Sequence, residues 1–208
     1  MNAGTRERLL NEAEALIRTR GYAAFSYADL SERVGIRKAS IHHHFPTKAE
    51  LGGALIDGYL TKFENALQTI LGEEKSAWKR LRRYADFFIE SMSDGMLPLC
   101  GALSAEMSVL PKSLQRRVRY FFELHLEWLE GVVRAGVAAK ELRGDIDERP
   151  AAMLILSTLE GASLVAWATG DASVIERTAQ QVFAGLERVV SRSRPHVAEA
   201  AGSSKPGH

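Results

Sequence analysis

The chain has 208 residues, 46% hydrophobic and 25% charged, and a formal net charge of +1. That balance excludes wholesale disorder and, as a total, advertises neither a nucleic acid nor an anionic membrane surface as partner. One cysteine excludes a disulfide framework and a cysteine-cluster metal site and suits a reducing cytosol, so a cytoplasmic protein without metal or cofactor is expected. Alternating charges at Arg6, Glu7, Arg8, Glu12 and Glu14 leave no apolar run for a signal peptide.

Apolar residues recur at helical spacing almost throughout, which predicts an all-α fold. The first helix is expected over residues 5–20, with Leu9, Ala13, Leu16 and Ile17 inward and Gly21 as its stop. Ser26 and Asp29 stand at capping-box spacing before a short helix that ends at Gly35. A second short helix spans 38–44. Thr47 and Glu50 then cap a longer one reaching to about 71. Amphipathic helices follow over 76–94, from Pro98 to about 110, and over 112–139, 149–169 and 172–192. The stretch 150–170 is long enough to span a membrane. Its mid-span carboxylate Glu160 and scattered Ser, Thr and Gly favour a helix buried inside a protein or dimer. Residues 194–208 have no period and are expected to be a disordered tail.

Two short helices around Gly35-Ile36 have the layout of a helix-turn-helix. Between Arg33 and Ala49 the chain carries Arg33, Arg37, Lys38, Lys48 and three histidines, and no acid. The balanced total thus conceals a basic segment suited to phosphate, although a solvated basic face of an ordinary bundle has the same composition. His42, His43 and His44 point about 100° apart on a helix, so they are not expected to converge on a metal.

The run Thr5-Arg-Glu-Arg-Leu-Leu, Gly21-Tyr22, Phe25-Ser-Tyr-Ala-Asp-Leu and Val34-Gly-Ile-Arg-Lys-Ala-Ser-Ile-His-His-His-Phe-Pro-Thr-Lys-Ala-Glu-Leu51 closely resembles the DNA-binding domain of TetR/AcrR-family transcriptional regulators. The resemblance covers about residues 5–51. It implies an N-terminal three-helix domain that binds double-stranded operator DNA. A C-terminal helical domain would bind a small-molecule effector and dimerise. By that resemblance 38–44 is the recognition helix, Arg37 and Ala39 face base edges, and Lys38, Ser40, His42 and His43 meet bases or phosphates. Ser26, Tyr27 and Lys48 become backbone clamps at helix starts. Two positions depart from the family pattern: Arg37 replaces a small hydroxyl residue that would cap the helix, and His42 replaces a tyrosine. Both bear on operator sequence.

In the second half, Ile175, Ala179, Val182, Phe183, Leu186, Val189 and Val190 recur at spacings of three and four. With 150–170 they offer more apolar surface than one small domain needs. A homodimer through the last two helices is the preferred reading, and a larger monomeric core the alternative. Candidate effector-binding residues are Trp78, Phe88, Met92, Cys100, Phe121, His125, Trp128 and Glu160. His125 and Glu160 interrupt apolar stripes, as ligand-orienting groups or as hydrogen-bonded structural ones. Cys100 is expected in a first helical turn, where the dipole favours thiolate. Leu99-Cys100-Gly101-Ala102-Leu103 also resembles the Gly-Cys-Leu region of family members that sense electrophiles, with its glycine displaced. An inert buried cysteine is the alternative. The domains expected are 1–51, 52–193 and the tail. The expected function is a repressor released by an apolar or electrophilic effector, not an enzyme. A Cys100/His125 enzyme or a helical adaptor without DNA binding remains the alternative.

Overall fold

A computed structural model describes residues 2–93 and 95–187. Those residues form α1 (Asn2–Arg20), α2 (Tyr27–Val34), α3 (Lys38–His44), α4 (Lys48–Glu73), α5 (Ala77–Ser93), α6 (Leu99–Ser104), α7 (Lys112–Ala138), α8 (Glu148–Thr169) and α9 (Ser173–Ala184). Among them the only β-type pairing is one antiparallel bridge between Leu142 and Glu187.

Local chemistry sets the first boundaries. The Ser26 hydroxyl accepts from the Ala28 and Asp29 amides at 3.2 and 3.5 Å, while the Asp29 carboxylate accepts from the Ser26 amide at 2.7 Å. Such a cap is worth about 1 kcal/mol. Gly35 ends α2 at φ 72°, a left-handed conformation that a side chain would strain. Leu9, Leu16 and Ile17 of α1 bury completely or nearly so against Leu30, Ile41 and Leu51, closing the small N-terminal core.

Helix α4 runs unbroken across residue 51. Its start buries Leu51 among the N-terminal helices, and its remainder buries Leu55, Ile56, Leu60, Phe63, Leu67 and Ile70 in the larger bundle. At Gly52 a Cβ would lie 2.9 Å from Leu114 Cδ1 and 3.2 Å from Tyr22 Cε2. The missing side chain therefore lets α4, α7 and the N-terminal domain meet. In the bundle α8 packs on α7 and α9, and α5 packs against all three. Glu141, just past α7, accepts from the Ser76 hydroxyl and the Ala77 amide, both at 2.8 Å, and so caps α5.

Two expected helices are shorter than their apolar patterns. Helix α6 ends at Ser104 rather than near 110, because the Glu106 carboxylate reaches back to the Tyr22 and Ala23 amides at 2.6 and 2.7 Å. Pro111 then starts α7. Helix α9 ends at Ala184, and Glu187 pairs with Leu142. Val189, Val190 and the tail at 194–208 lie outside the described residues. Helix α8 has the length and hydropathy of a membrane span, yet it buries Ala152, Ile155, Leu156, Leu159 and Ala166 within the bundle.

At Gly136 of α7 an added Cβ would sit 2.7 Å from Ala77 Cβ and 2.8 Å from Leu142 Cδ1. Gly136→Ala is expected to cost about 1–3 kcal/mol, seen as a lower urea midpoint with an unchanged slope. A midpoint equal to wild type would contradict this packing.

Candidate nucleic-acid interface and ligand cavity

Helix α3 presents one continuous surface to solvent. Only Ile41 turns fully inward; Lys38, Ala39, Ser40, His42 and His43 are exposed, as is Arg37 at the N-cap position. Arg37 makes no side-chain cap hydrogen bond, so its guanidinium is not spent on the helix end. His42 lies edge-on to the Tyr27 ring at 4.9 Å, and its Nδ1 is 3.1 Å from the Pro46 carbonyl. With Nδ1–H donating to that carbonyl, a neutral His42 leaves Nε2 outward as an acceptor.

The three expected backbone clamps differ in what they leave free. The Ser26 hydroxyl is engaged in its capping box and also donates to Asp29 at 2.6 Å. The Tyr27 hydroxyl donates to the Phe45 carbonyl at 2.8 Å, and burial, followed by the nearby Glu50 charge, pushes its pKa up to about 12. Lys48 departs from expectation most. Its ammonium turns inward, donating to the Phe25 carbonyl and lying 4.5 and 4.3 Å from the Tyr22 and Phe25 ring centroids. Burial lowers its pKa. This ammonium fastens α4 to the α1–α2 turn through the carbonyl and two ring faces, which offset part of the cost of its desolvation.

The eight candidate effector residues do not all gather in one place. Phe88, Phe121, His125 and Glu160 line an inner void of about 10 Å³ with Tyr59, Phe63, Phe87, Ser91 and Pro98. Trp128 stands behind, stacked on Tyr84 at 5.4 Å. Trp78 lies in a surface groove between α5 and α9, beside Phe183 and Gln180, and Met92 lines neither space. Tyr59 and Phe63 were not among the candidates; their only sequence signal was the apolar stripe of α4. Outside the void lies an open groove of about 480 Å³ between α1, α4 and α5, sharing Tyr59, Phe63, Phe87 and Ser91 with it.

Polar atoms inside are few and incompletely paired. The Tyr84 hydroxyl and His125 Nδ1 are 2.6 Å apart, whereas His125 Nε2, Trp128 Nε1 and Glu160 Oε1 are buried without a hydrogen-bond partner. His125 stacks on Phe63 at 4.2 Å, and burial lowers its pKa to about 3, so the ring is neutral. Burial pushes the Glu160 carboxyl up to about 7.

Cys100 is fully buried in a six-residue helix. Burial first, then the neighbouring Glu160, push its thiol well above the usual range. The thiolate expected from the helix dipole is therefore not favoured: desolvation outweighs a first-turn effect of at most about 2 kcal/mol. His125 meets Tyr84 through Nδ1, and a thiol kept protonated by burial is not an activated nucleophile.

Helix α6 touches both halves of the molecule. Gly101 lies beneath Glu160, where a Cβ would be 2.5 Å from Oε2. A few residues on, Glu106 holds the Tyr22 and Ala23 amides. Arg18 of α1 completes the tie, donating to the Leu97 carbonyl at 2.7 Å, to Ser91 at 3.2 Å and to Glu14 at 3.0 Å.

Between its ordinary pKa of 4.5 and about 7, Glu160 ionises in the unfolded chain but stays protonated in the folded one. Rising pH therefore withdraws stability through that window. Relative to Glu160→Gln, which does not titrate, the wild type is expected to lose roughly 1–3 kcal/mol between pH 5 and 8. The opposing titration of His125 is common to both proteins and cancels. Urea melts across that range check it; a difference independent of pH would place the carboxyl in water.

The chain matches two family descriptions: "Bacterial regulatory proteins, tetR family" over residues 9–55 and "Tetracyclin repressor-like, C-terminal domain" over 77–182. A solved TetR-family regulator from Agrobacterium tumefaciens is 32% identical, with a TM-score of 0.85 over 89% of this chain and 98% of that one. A TetR regulator from Legionella pneumophila is also 32% identical, with a TM-score of 0.80 over 90% and 100%. The transcriptional repressor DhaR of Mycobacterium sp. strain GP1 is 24% identical over 161 residues, which are 76% of this chain and 80% of that protein. Helix-turn-helix, bundle and sequence agree: the chain belongs to the TetR family of bacterial regulatory proteins, which are DNA-binding regulators of transcription and not enzymes.

Proposed function

We propose that this chain is a cytoplasmic homodimeric repressor whose α3 reads operator DNA and whose inner cavity takes a small, largely apolar effector. The observation that carries it is the continuity of α4, which supplies Tyr59 and Phe63 to the cavity wall and Lys48 to the α1–α2 turn. Exposed Arg37 and Ala39 would meet base edges, and Lys38, Ser40, His42 and His43 bases or phosphates. With Nε2 as acceptor, His42 suits the exocyclic amine of adenine or cytosine. Ser26 and Tyr27 would approach phosphate at the start of α2, while Lys48 acts by positioning.

An occupant of the cavity would press on α4 directly and on α6 through Glu160 and Gly101. The ties of Glu106 and Arg18 would carry that shift to the turn before α2. Release needs only that the effector prefer the state with the wrong spacing of recognition helices. The buried, protonated Cys100 favours an apolar ligand over an electrophile.

For the dimer, α8 carries the strongest support. Met153, Leu154, Leu164 and Val165 are each at least 50% exposed and share one side of the helix with Ser157 and Gly161, small enough for close approach. Pairing through α8 and α9 would hold two recognition helices about 34 Å apart, one DNA turn.

Gel shifts with DNA upstream of the chain's own coding region test the reading. A shift at low salt is expected, and Arg37→Ala should weaken it about 10–100-fold. No shift with any adjacent intergenic fragment would refute it. Leu164→Glu with Val165→Glu should give a monomer by light scattering and remove the shift; a dimer that persists would move the interface away from α8.

A further inference from the structure

Resting on the effector reading above, we propose that the cavity recognises an organic cation, an amine or quaternary ammonium bearing an apolar arm, with its charge set against Glu160 among Tyr59, Phe63, Phe88 and Phe121. Four observations converge on this class.

The carboxylate occupies a built seat. Oε2 lies over Gly101, where a Cβ would collide at 2.5 Å, and Oε1 is buried at the void without a partner. Among the described residues no cation is bonded to it: Arg18, whose charge reaches Tyr59, is held by Glu14, Ser91 and the Leu97 carbonyl. The titratable groups packed around Glu160 are Tyr59 of α4, Tyr84 of α5, Cys100 of α6 and His125 of α7. Burial raises the first three and lowers the last, so all four are neutral near pH 7. Burial is also what raises Glu160's own pKa. A ligand cation would supply the missing counter-charge and hold the carboxylate ionised.

The walls suit a cation as well. Phe121 is 5.6 Å from Tyr59 and 5.5 Å from Phe63, and Phe63 is 5.0 Å from Phe87, centroid to centroid. Aromatic faces carry negative potential and attract ammonium groups most strongly where water is excluded. The approach has the same sign. The outer groove carries Glu7, Glu14 and Glu90 against Lys62 and Arg18, and Arg18 is already tied to Glu14. An anion would meet repulsion at the rim and an unpaired carboxylate inside.

Size connects binding to response. A void of about 10 Å³ holds roughly one water. An ammonium group therefore enters only if Tyr59 or Phe87 gives way, joining the void to the groove of about 480 Å³, within the usual range for small-molecule sites. Tyr59 belongs to α4, so entry strains the helix that leads to the DNA-binding domain.

The test titrates the full-length protein, without DNA, by calorimetry and tryptophan fluorescence. Three probes of similar shape are used: phenethyltrimethylammonium, its neutral carbon isostere 3,3-dimethylbutylbenzene, and the anion 3-phenylpropanoate. The cation is expected to bind at least about tenfold more tightly than the isostere, and the anion not at all. Glu160→Gln should weaken the cation by about tenfold or more while leaving the isostere within about twofold. Glu160→Asp, which keeps the charge, should retain the preference, and melting curves confirm that both variants fold. Equal binding of cation and isostere, binding of the anion, no binding of the cation, or a cation affinity unchanged in Glu160→Gln would each overturn the proposal. Because no DNA is present, a failed operator shift removes the repressor reading without touching this result, and a successful shift cannot rescue it.

Discussion

Helix α4 has to be buried along its length against two different sets of partners, and the rest of the molecule is arranged around that constraint. Near its start it completes a small core built by α1, α2 and α3; further on it forms a wall of the larger bundle. A helix of 26 residues is about 39 Å long. The apolar stripe must therefore stay in phase with both cores, and no loop intervenes to absorb a mismatch. The fastenings near its start follow from this. Half-buried Lys48 donates to a carbonyl beside two rings, and Glu106 and Arg18 bind the α1–α2 region to the segments around α6.

The DNA-binding half was legible in the sequence because its determinants are local. Ser26 with Asp29, Gly35, and Thr47 with Glu50 each act within a few residues, so spacing alone locates the helix ends. The even charge total was uninformative, whereas its placement between Arg33 and Ala49 pointed to α3. Lys48 shows the limit. Its position was readable, but the direction of its ammonium depends on Tyr22 and Phe25, which only the folded turn brings beneath it.

The cavity was less legible, for a physical reason. An aromatic residue on an apolar stripe has the same sequence signature whether it fills a core, lines a void or faces a groove. Phe88, Phe121, His125 and Glu160 did converge, but Trp78 went to a groove beside α9, and Tyr59 and Phe63 arrived from α4. Cys100 illustrates a competition of magnitudes: a helix dipole acts over one turn, while complete burial acts on the whole thiol and prevails. Residues 105–109 kept a helical pattern yet formed turns, because the Glu106 carboxylate gains two distant amides.

The bare contact at Gly52 gives α4 the mechanics of a lever. With no side chain there, the helix bears directly on Leu114 and Tyr22, a fulcrum near one end. At 1.5 Å per residue, Phe63 is about 16 Å away on one arm and Lys48 about 6 Å on the other. A push on the long arm is therefore delivered at the short end with less travel and more force. Such gearing suits a task in which several close-range ties must be tilted together, rather than one element slid a long way.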